Sequence, residues 1–209
     1  MNTLIKLVLC AVMVSFASTA TAANLIHDGG FESPVVPAGS YTIFGVGQKI
    51  DRWTVVGNDP GTQPFGVSLM SGTYTQDGIT FNARSGSQYL NLRNVAGGAG
   101  ALSTAGVEQT VALVPGSKYV LSFWLGSGFD PGTEGETGAM SRVDVFLDGV
   151  LTMSAIQPGK ANSSSQSWKQ FSLAFTATTN MTSITFMNPT WQTTNVGLDD
   201  IELVLAPPT

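Results

Sequence analysis

KYVLSFWLG (Lys118–Gly126) sets Tyr119, Leu121, Phe123 and Leu125 on one side of the chain and Val120, Ser122 and Trp124 on the other. A period of two residues is the signature of a β-strand with at least one buried face. The pattern recurs outward from it. VDVFLDG (Val143–Gly149) alternates Val143, Val145 and Leu147 against Asp144, Phe146 and Asp148, and Asp148-Gly149 is a hairpin-turn pair. KQFSLAFTA places Phe171, Leu173 and Phe175 together, SITFMN gives Ile184 and Phe186, and VGLDDIELVL (Val196–Leu205) gives Ile201, Leu203 and Leu205. Upstream, strands are expected around residues 41–44, 53–56, 66–70, 88–92 and 107–113.

Between these blocks stand Pro115-Gly116, Pro131-Gly132, Pro158-Gly159, Asp77-Gly78 and Gly97-Gly98, all turn signals. About ten short strands with such punctuation, and no helical period, predict an all-β antiparallel sandwich of jelly-roll type. Residues 94–106, 126–139 and 159–167 read as loops by their Gly, Ala and Ser content. No second domain and no internal repeat interrupts the pattern.

The first 22 residues read as a processing signal. Lys6 supplies a positive start, Leu7–Ala17 an apolar run, and Ala20-Thr21-Ala22 a small-x-small cleavage site. The run is about half of the ~20 residues a membrane span needs. Cleavage takes 22 residues from 209 and leaves 187, a single domain over residues 23–209. It also removes Cys10, the one cysteine, which excludes a disulfide scaffold, a thiolate zinc site and a cysteine hydrolase. An exported chain without disulfides suggests a secreted or periplasmic bacterial protein. Without Lys6 there are 8 basic against 14 acidic residues, a net charge of −6. That balance argues against nucleic acid and against an electrostatic hold on anionic lipid.

Two acidic segments bracket the domain. NLIHDGGFESP (Asn24–Pro34) carries Asp28 and Glu32 beside an apolar, strand-like run, and the closing VGLDDIELVL carries Asp199 and Asp200. Domain termini often lie close together. If these strands are neighbours, the carboxylates can share a calcium ion, which takes six to eight oxygen ligands.

Six pieces in order carry a resemblance: NLIHDGGFESP, GSYTIFGVGQKIDRWTVVG, SGSQYLNL, VEQTVALVPGSKYVLSFWLGS, SWKQFSLAFTA and GLDDIEL. Together they resemble the exported family of domain of unknown function 642 and its bacterial choice-of-anchor relatives. More distantly they are similar to carbohydrate-binding modules with the galactose-binding-like jelly roll. The resemblance implies a structural calcium where the first and last strands meet, with Glu32 and Asp199 as ligands. Asp200 is the alternative ligand, and carbonyls and a residue near Ser87 complete the shell. The terminal LAPPT shows no sorting signal, and the paired cysteines of plant members are missing.

Catalytic chemistry finds little support in the residues. His27 is the single histidine, and no GxSxG elbow occurs. Asp144 with Asp148, and Glu134 with Glu136, are the carboxylate pairs a glycosidase would need, and solvated surface acids explain both. A non-catalytic binding role fits better. Sugars stack their apolar faces on aromatic rings, so Trp191, Tyr74, Trp124 and Trp53 are the ligand-binding candidates, for a polysaccharide or cell-surface glycan. Trp191 and Tyr74 sit in polar loops; Trp53 and Trp124 are better suited to filling the core or capping its second face. A structural envelope or biofilm-matrix role through protein contacts is the alternative, and a glycoside hydrolase the third reading.

Overall fold

A computed structural model describes residues 23–58, 66–76, 78–93, 104–128, 140–158, 165–189 and 195–207. It is all-β and antiparallel. The strands are β1 (Tyr41–Gly45), β2 (Lys49–Ile50), β3 (Trp53–Gly57), β4 (Gly66–Ser71), β5 (Thr75–Gln76), β6 (Ile79–Thr80) and β7 (Gln88–Asn91). They continue as β8 (Ala105–Ala112), β9 (Lys118–Gly128), β10 (Met140–Leu147), β11 (Val150–Pro158), β12 (Ser167–Thr176), β13 (Met181–Asn188) and β14 (Asn195–Leu205). One six-stranded sheet runs β1-β4-β7-β14-β9-β12, and a second runs β11-β10-β13-β8-β3-β2. The short hairpin β5-β6 stands apart from both. Among the described residues no helix is long and apolar enough to cross a membrane.

The alternating patterns do what their period requires. In β9, Tyr119, Leu121, Phe123 and Leu125 are buried between the sheets, opposite Ile184 and Phe186 of β13 and Val143 and Val145 of β10. Rings lock the centre: Phe123 meets Phe186 edge-on at 5.0 Å, and Phe186 meets Trp53 at 6.1 Å. Asp148 and Gly149 both have positive φ (+50° and +77°), as a type I′ hairpin between β10 and β11 demands.

The opening segment departs from its expected form. Residues 23–34 form bends and turns and no strand, because Asp28 and Phe31 take positive φ (+49° and +55°). They lie beside β14 all the same. The Leu25 amide donates to the Leu203 carbonyl at 2.9 Å, and the Ile201 amide donates to the Gly29 carbonyl at 3.0 Å. Asn24 fills in for missing ladder bonds: its side-chain amide donates to the Ile201 carbonyl, and its Oδ1 accepts from Leu203 N and Ile26 N. Trp53 corrects another expectation. It is fully buried against Phe31, with Nε1 donating to the Asp28 carbonyl at 3.0 Å, so no ligand reaches it.

The outer face of the first sheet carries its own small core. Met70, Ile79, Phe81 and Tyr89 are buried there, with Tyr74, Ala83 and Trp168 packed on them. The cover is residues 72–76 and 78–87, a flap that includes β5 and β6. Gly126 and Gly197 make room beneath it: a methyl group on either would come within 2.8–2.9 Å of the Trp168 ring.

Two substitutions test this packing. Phe186→Ala removes the ring shared by Phe123 and Trp53 and is expected to cost about 3–5 kcal/mol in denaturant unfolding. Gly29→Ala places a methyl on the Ile201 carbonyl oxygen. It is expected to cost about 1–3 kcal/mol, in the range of overpacked cores, and to lower the melting temperature.

Candidate functional site

Four carboxylates stand along the crossing of the opening segment with β14, three of them (Glu32, Asp199 and Asp200) around Gly30. Asp28 is the first: its Oδ1 accepts from Glu32 N at 2.8 Å and its Oδ2 from Ser33 N at 3.2 Å. Burial raises its pKa, with those two amide bonds opposing, and Asp51 adds to the rise. Glu32 Oε1 accepts from Ser87 N at 2.8 Å and Gln88 N at 3.0 Å. Asp199 is fully buried; its Oδ2 accepts from Arg84 N at 2.9 Å and Ser85 N at 3.4 Å, and its Oδ1 from Asp200 N at 2.8 Å. Asp200, at φ +49°, accepts from the Ser85 hydroxyl at 2.6 Å.

Residues 84–88 therefore act as a strap whose amides face two carboxylates, Asp199 and Glu32, while its Ser85 hydroxyl donates to a third, Asp200. Gln88 anchors its far end, donating to the Phe31 and Pro34 carbonyls and accepting from Val36 N. Gly30 marks the point of convergence: a methyl there would lie 3.8 Å from Asp199 Oδ1 and 3.9 Å from both Asp200 Oδ1 and Glu32 Cγ. Burial, with the charge of Asp200 added, pushes the Asp199 carboxyl up to about 8 despite its three amide donors.

The donor chemistry is all oxygen, which suits a hard cation. Among the described residues the ion pairs join His27 to Asp51 (2.6 Å) and Arg142 to Asp144 (3.0 Å), and no cationic side chain is paired with Glu32, Asp199 or Asp200. Yet no three His, Cys, Asp or Glu side chains among the described residues are arranged to hold a metal ion by themselves. Backbone carbonyls would have to supply much of any shell.

The aromatic candidates scatter. Trp191 lies outside the described residues, as do Glu134 and Glu136. Trp124 sits half-buried on the outer face of the first sheet, in register with Asp199, and the Arg84 guanidinium lies 3.9 Å over its ring. One face of that indole is thus covered. Tyr74 leads off the flap and meets Tyr41 edge-on at 5.5 Å, with Phe81 behind it at 6.1 Å.

Tyr41 and Ile43 alternate on edge strand β1, in register with Met70 and Ser68, and both are exposed (42% and 37%). With Tyr74 they form an aromatic ledge on the outer face. Sequence reading missed Tyr41 as a site residue because the pairing with Tyr74 crosses more than thirty residues. The usable signal was an aromatic at the start of a strand whose inward face is carried by Phe44.

Of the two acids read as solvated, Asp148 lies exposed in the turn after β10, as expected, and Asp144 does not. The bulge between β10 and β11 puts its extra residue, Thr152, on β11, so Val143, Val145 and Leu147 keep facing the core along β10. Asp144 is buried, held by Arg142 Nε and Nη2 at 3.0 Å each and by the Ser154 hydroxyl at 2.6 Å. Asp148 accepts from Ser183 N at 2.8 Å in its turn.

The family described as "Protein of unknown function (DUF642)" matches residues 24–199, and the chain belongs to that family. None of the curated proteins matches it in sequence. Its fold is similar to a Stig cyclase, Fisc, from Fischerella sp. TAU, solved in complex with (3Z)-3-(1-methyl-2-pyrrolidinylidene)-3H-indole. That match has 20% identity and a TM-score of 0.62, and covers 90% of this chain and 100% of the other. It is similar also to TmCBM61, solved in complex with beta-1,4-galactotriose, with 17% identity and a TM-score of 0.51 over 88% of this chain and 100% of that one. At these identities the likeness is one of fold.

The electrostatics predict a pH response. The folded-state pKa of Asp199 stands above its unfolded value, so the folded state holds the proton between about 4 and about 8. Stability then falls as pH rises through that window. In the presence of chelator, the melting temperature is expected to decline from pH 4 to pH 8, and Asp199→Asn to flatten the slope. A slope unchanged by the substitution would mean that Asp199 is ionised throughout.

Proposed function

We propose that this member of the DUF642 family is an exported, non-catalytic β-sandwich module that binds neutral faces of extracellular glycans on the Tyr41–Tyr74 ledge. The observation that carries the reading is that ledge. Two rings stand edge-on at 5.5 Å, with Tyr41 and neighbouring Ile43 exposed on the outer face of a six-stranded sheet. Aromatic rings offer sugar C–H faces a stacking partner at low entropic cost. The likeness in fold to a module solved with a galactotriose supports the reading. The non-catalytic reading is supported by the engagement of Asp144 with Arg142 and Ser154.

In this proposal a structural calcium belongs to the bookend site. Glu32 and Asp199 are its ligands, Asp200 the alternative, and backbone carbonyls complete the shell. When bound, the ion supplies positive charge against Asp199 and Asp200. The strap amides orient these carboxylates, and Asn24 and Gly29 hold the opening segment against β14.

A second reading, a matrix protein acting through protein contacts, is favoured by one end of the sandwich. Val114, Val150, Leu151, Met181 and Leu205 are all exposed there, on turns and strand ends. Clustered exposed apolar residues mark interaction surfaces.

A glycan array decides between the two readings. Specific hits lost in the Tyr41→Ala and Tyr74→Ala variants, with unchanged melting curves, are expected for the module. Silence on the array, alongside a matrix protein captured through Val150 and Leu151, favours the second reading. No reducing ends should appear on incubation with a polysaccharide panel. Chelator should lower the melting temperature of the native chain by several degrees and that of Glu32→Gln much less. A melting temperature indifferent to chelator would remove the calcium.

A further inference from the structure

Five strand ends meet at the end of the sandwich opposite the Asp148–Gly149 turn: the last residues of β9 and β11 and the first of β10, β12 and β14. Two residues further in, the interior is apolar, with Leu125, Val143 and Ala155 fully buried. At the strand ends the same inward positions turn polar. Leu125 is followed by Ser127, Val143 is preceded by Ser141, and Ala155 is followed by Gln157. All three are buried.

Some of their bonding capacity is used. Gln157 Nε2 donates to the Ser167 carbonyl at 3.1 Å and to its Oγ at 3.0 Å, and the Ser167 hydroxyl donates to the Ser127 carbonyl at 3.3 Å. The Ser141 hydroxyl donates to the Asn195 carbonyl at 2.9 Å. Two atoms are left over. Ser127 Oγ and Gln157 Oε1 are buried without a hydrogen-bond partner, in residues 2% and 6% exposed. Buried polar atoms are nearly always paired, and each exception calls for a partner.

We propose that this ring of strand ends is a binding site for a hydroxyl group of a neutral polyol or sugar, inserted between the sheets. A single hydroxyl satisfies both orphans: it donates to Gln157 Oε1 and accepts from Ser127 Oγ. Among the described residues the inward positions of the ring are uncharged, which favours a neutral ligand; an ion would be desolvated there without compensation. An apolar strand end would have been the simpler way to close a sandwich, and four strands out of five carry Ser or Gln here. The site lies apart from the Tyr41–Tyr74 ledge and does not depend on it.

The test follows the Gln157 side-chain amide by NMR in the full chain during titration with glycerol and with D-galactose. A saturable shift of that amide is expected with at least one titrant. The shift should be lost in Ser127→Ala and retained in Tyr41→Ala. A Gln157 amide that does not move, or one that moves equally in Ser127→Ala, overturns the proposal and assigns the two atoms to an ordered water. Should Ser127→Ala fail to fold, the native titration decides alone. Loss of glycan-array signal in Tyr41→Ala with an intact Gln157 response would separate this site from the ledge.

Discussion

A buried carboxylate organises one face of this protein. Asp199 is removed from water beside Asp200, and such a group is costly unless donors converge on it. Here the donors are backbone amides, those of Arg84, Ser85 and Asp200. Because amides cannot be supplied without fixing the chain that bears them, the strap is held in place. The same strap delivers Ser87 N and Gln88 N to Glu32, which ties the opening segment to β7. Its upstream continuation is the flap, secured where the Asn82 carbonyl accepts from Trp168 Nε1 and Gln166 Nε2. At the head of the flap stands Tyr74. The acidic edge and the aromatic ledge are therefore two ends of one loop.

The flap also decides what the first sheet can present. An uncovered sheet of six strands would offer a broad outer face. Here Phe81, Ile79 and Trp168 close its middle, and a polar chain runs beneath: Tyr89 donates to Asn195 Oδ1, and Asn195 donates to Gln166. Burial holds the Tyr89 phenol well above the ordinary tyrosine range, so it serves as a donor and not as a titrating group. What remains accessible lies to the sides, with Tyr41 and Ile43 on one edge and Arg84 stacked over Trp124 toward the other. Folds of this kind host binding and catalysis alike, so the chemistry must be sought in such surviving surfaces rather than in the architecture.

Residue patterns alone make the sandwich legible. Alternation in Lys118–Gly126 and Val143–Gly149, the Asp-Gly turn, and the absence of helical period all act locally, over a few residues, and the observed strands follow them. Long-range effects were less visible. The opening run reads as a strand, yet positive φ at Asp28 and Phe31 bends it, and Asn24 replaces the lost ladder. Alternation puts Asp144 and Asp148 on one face, yet Asp148 lies in the turn beyond β10 and stays exposed, while Arg142 and Ser154 enclose Asp144. Trp53 reads as core before platform, and Phe31 and Phe186 hold it in the core.

The chain alone determined the class of fold and the placing of acids at both its ends, because hydrophobic period and turn chemistry are properties of neighbours in sequence. Tertiary structure decided which acids meet, which aromatic rings stay exposed and which polar atoms are left without partners. Those outcomes depend on strand order. β14 sits between β7 and β9, which brings Asp199 to the strap, and β1 sits beside β4, which brings Tyr41 to Tyr74. Order of that kind is chosen by the packing of whole sheets, and no short stretch of sequence encodes it.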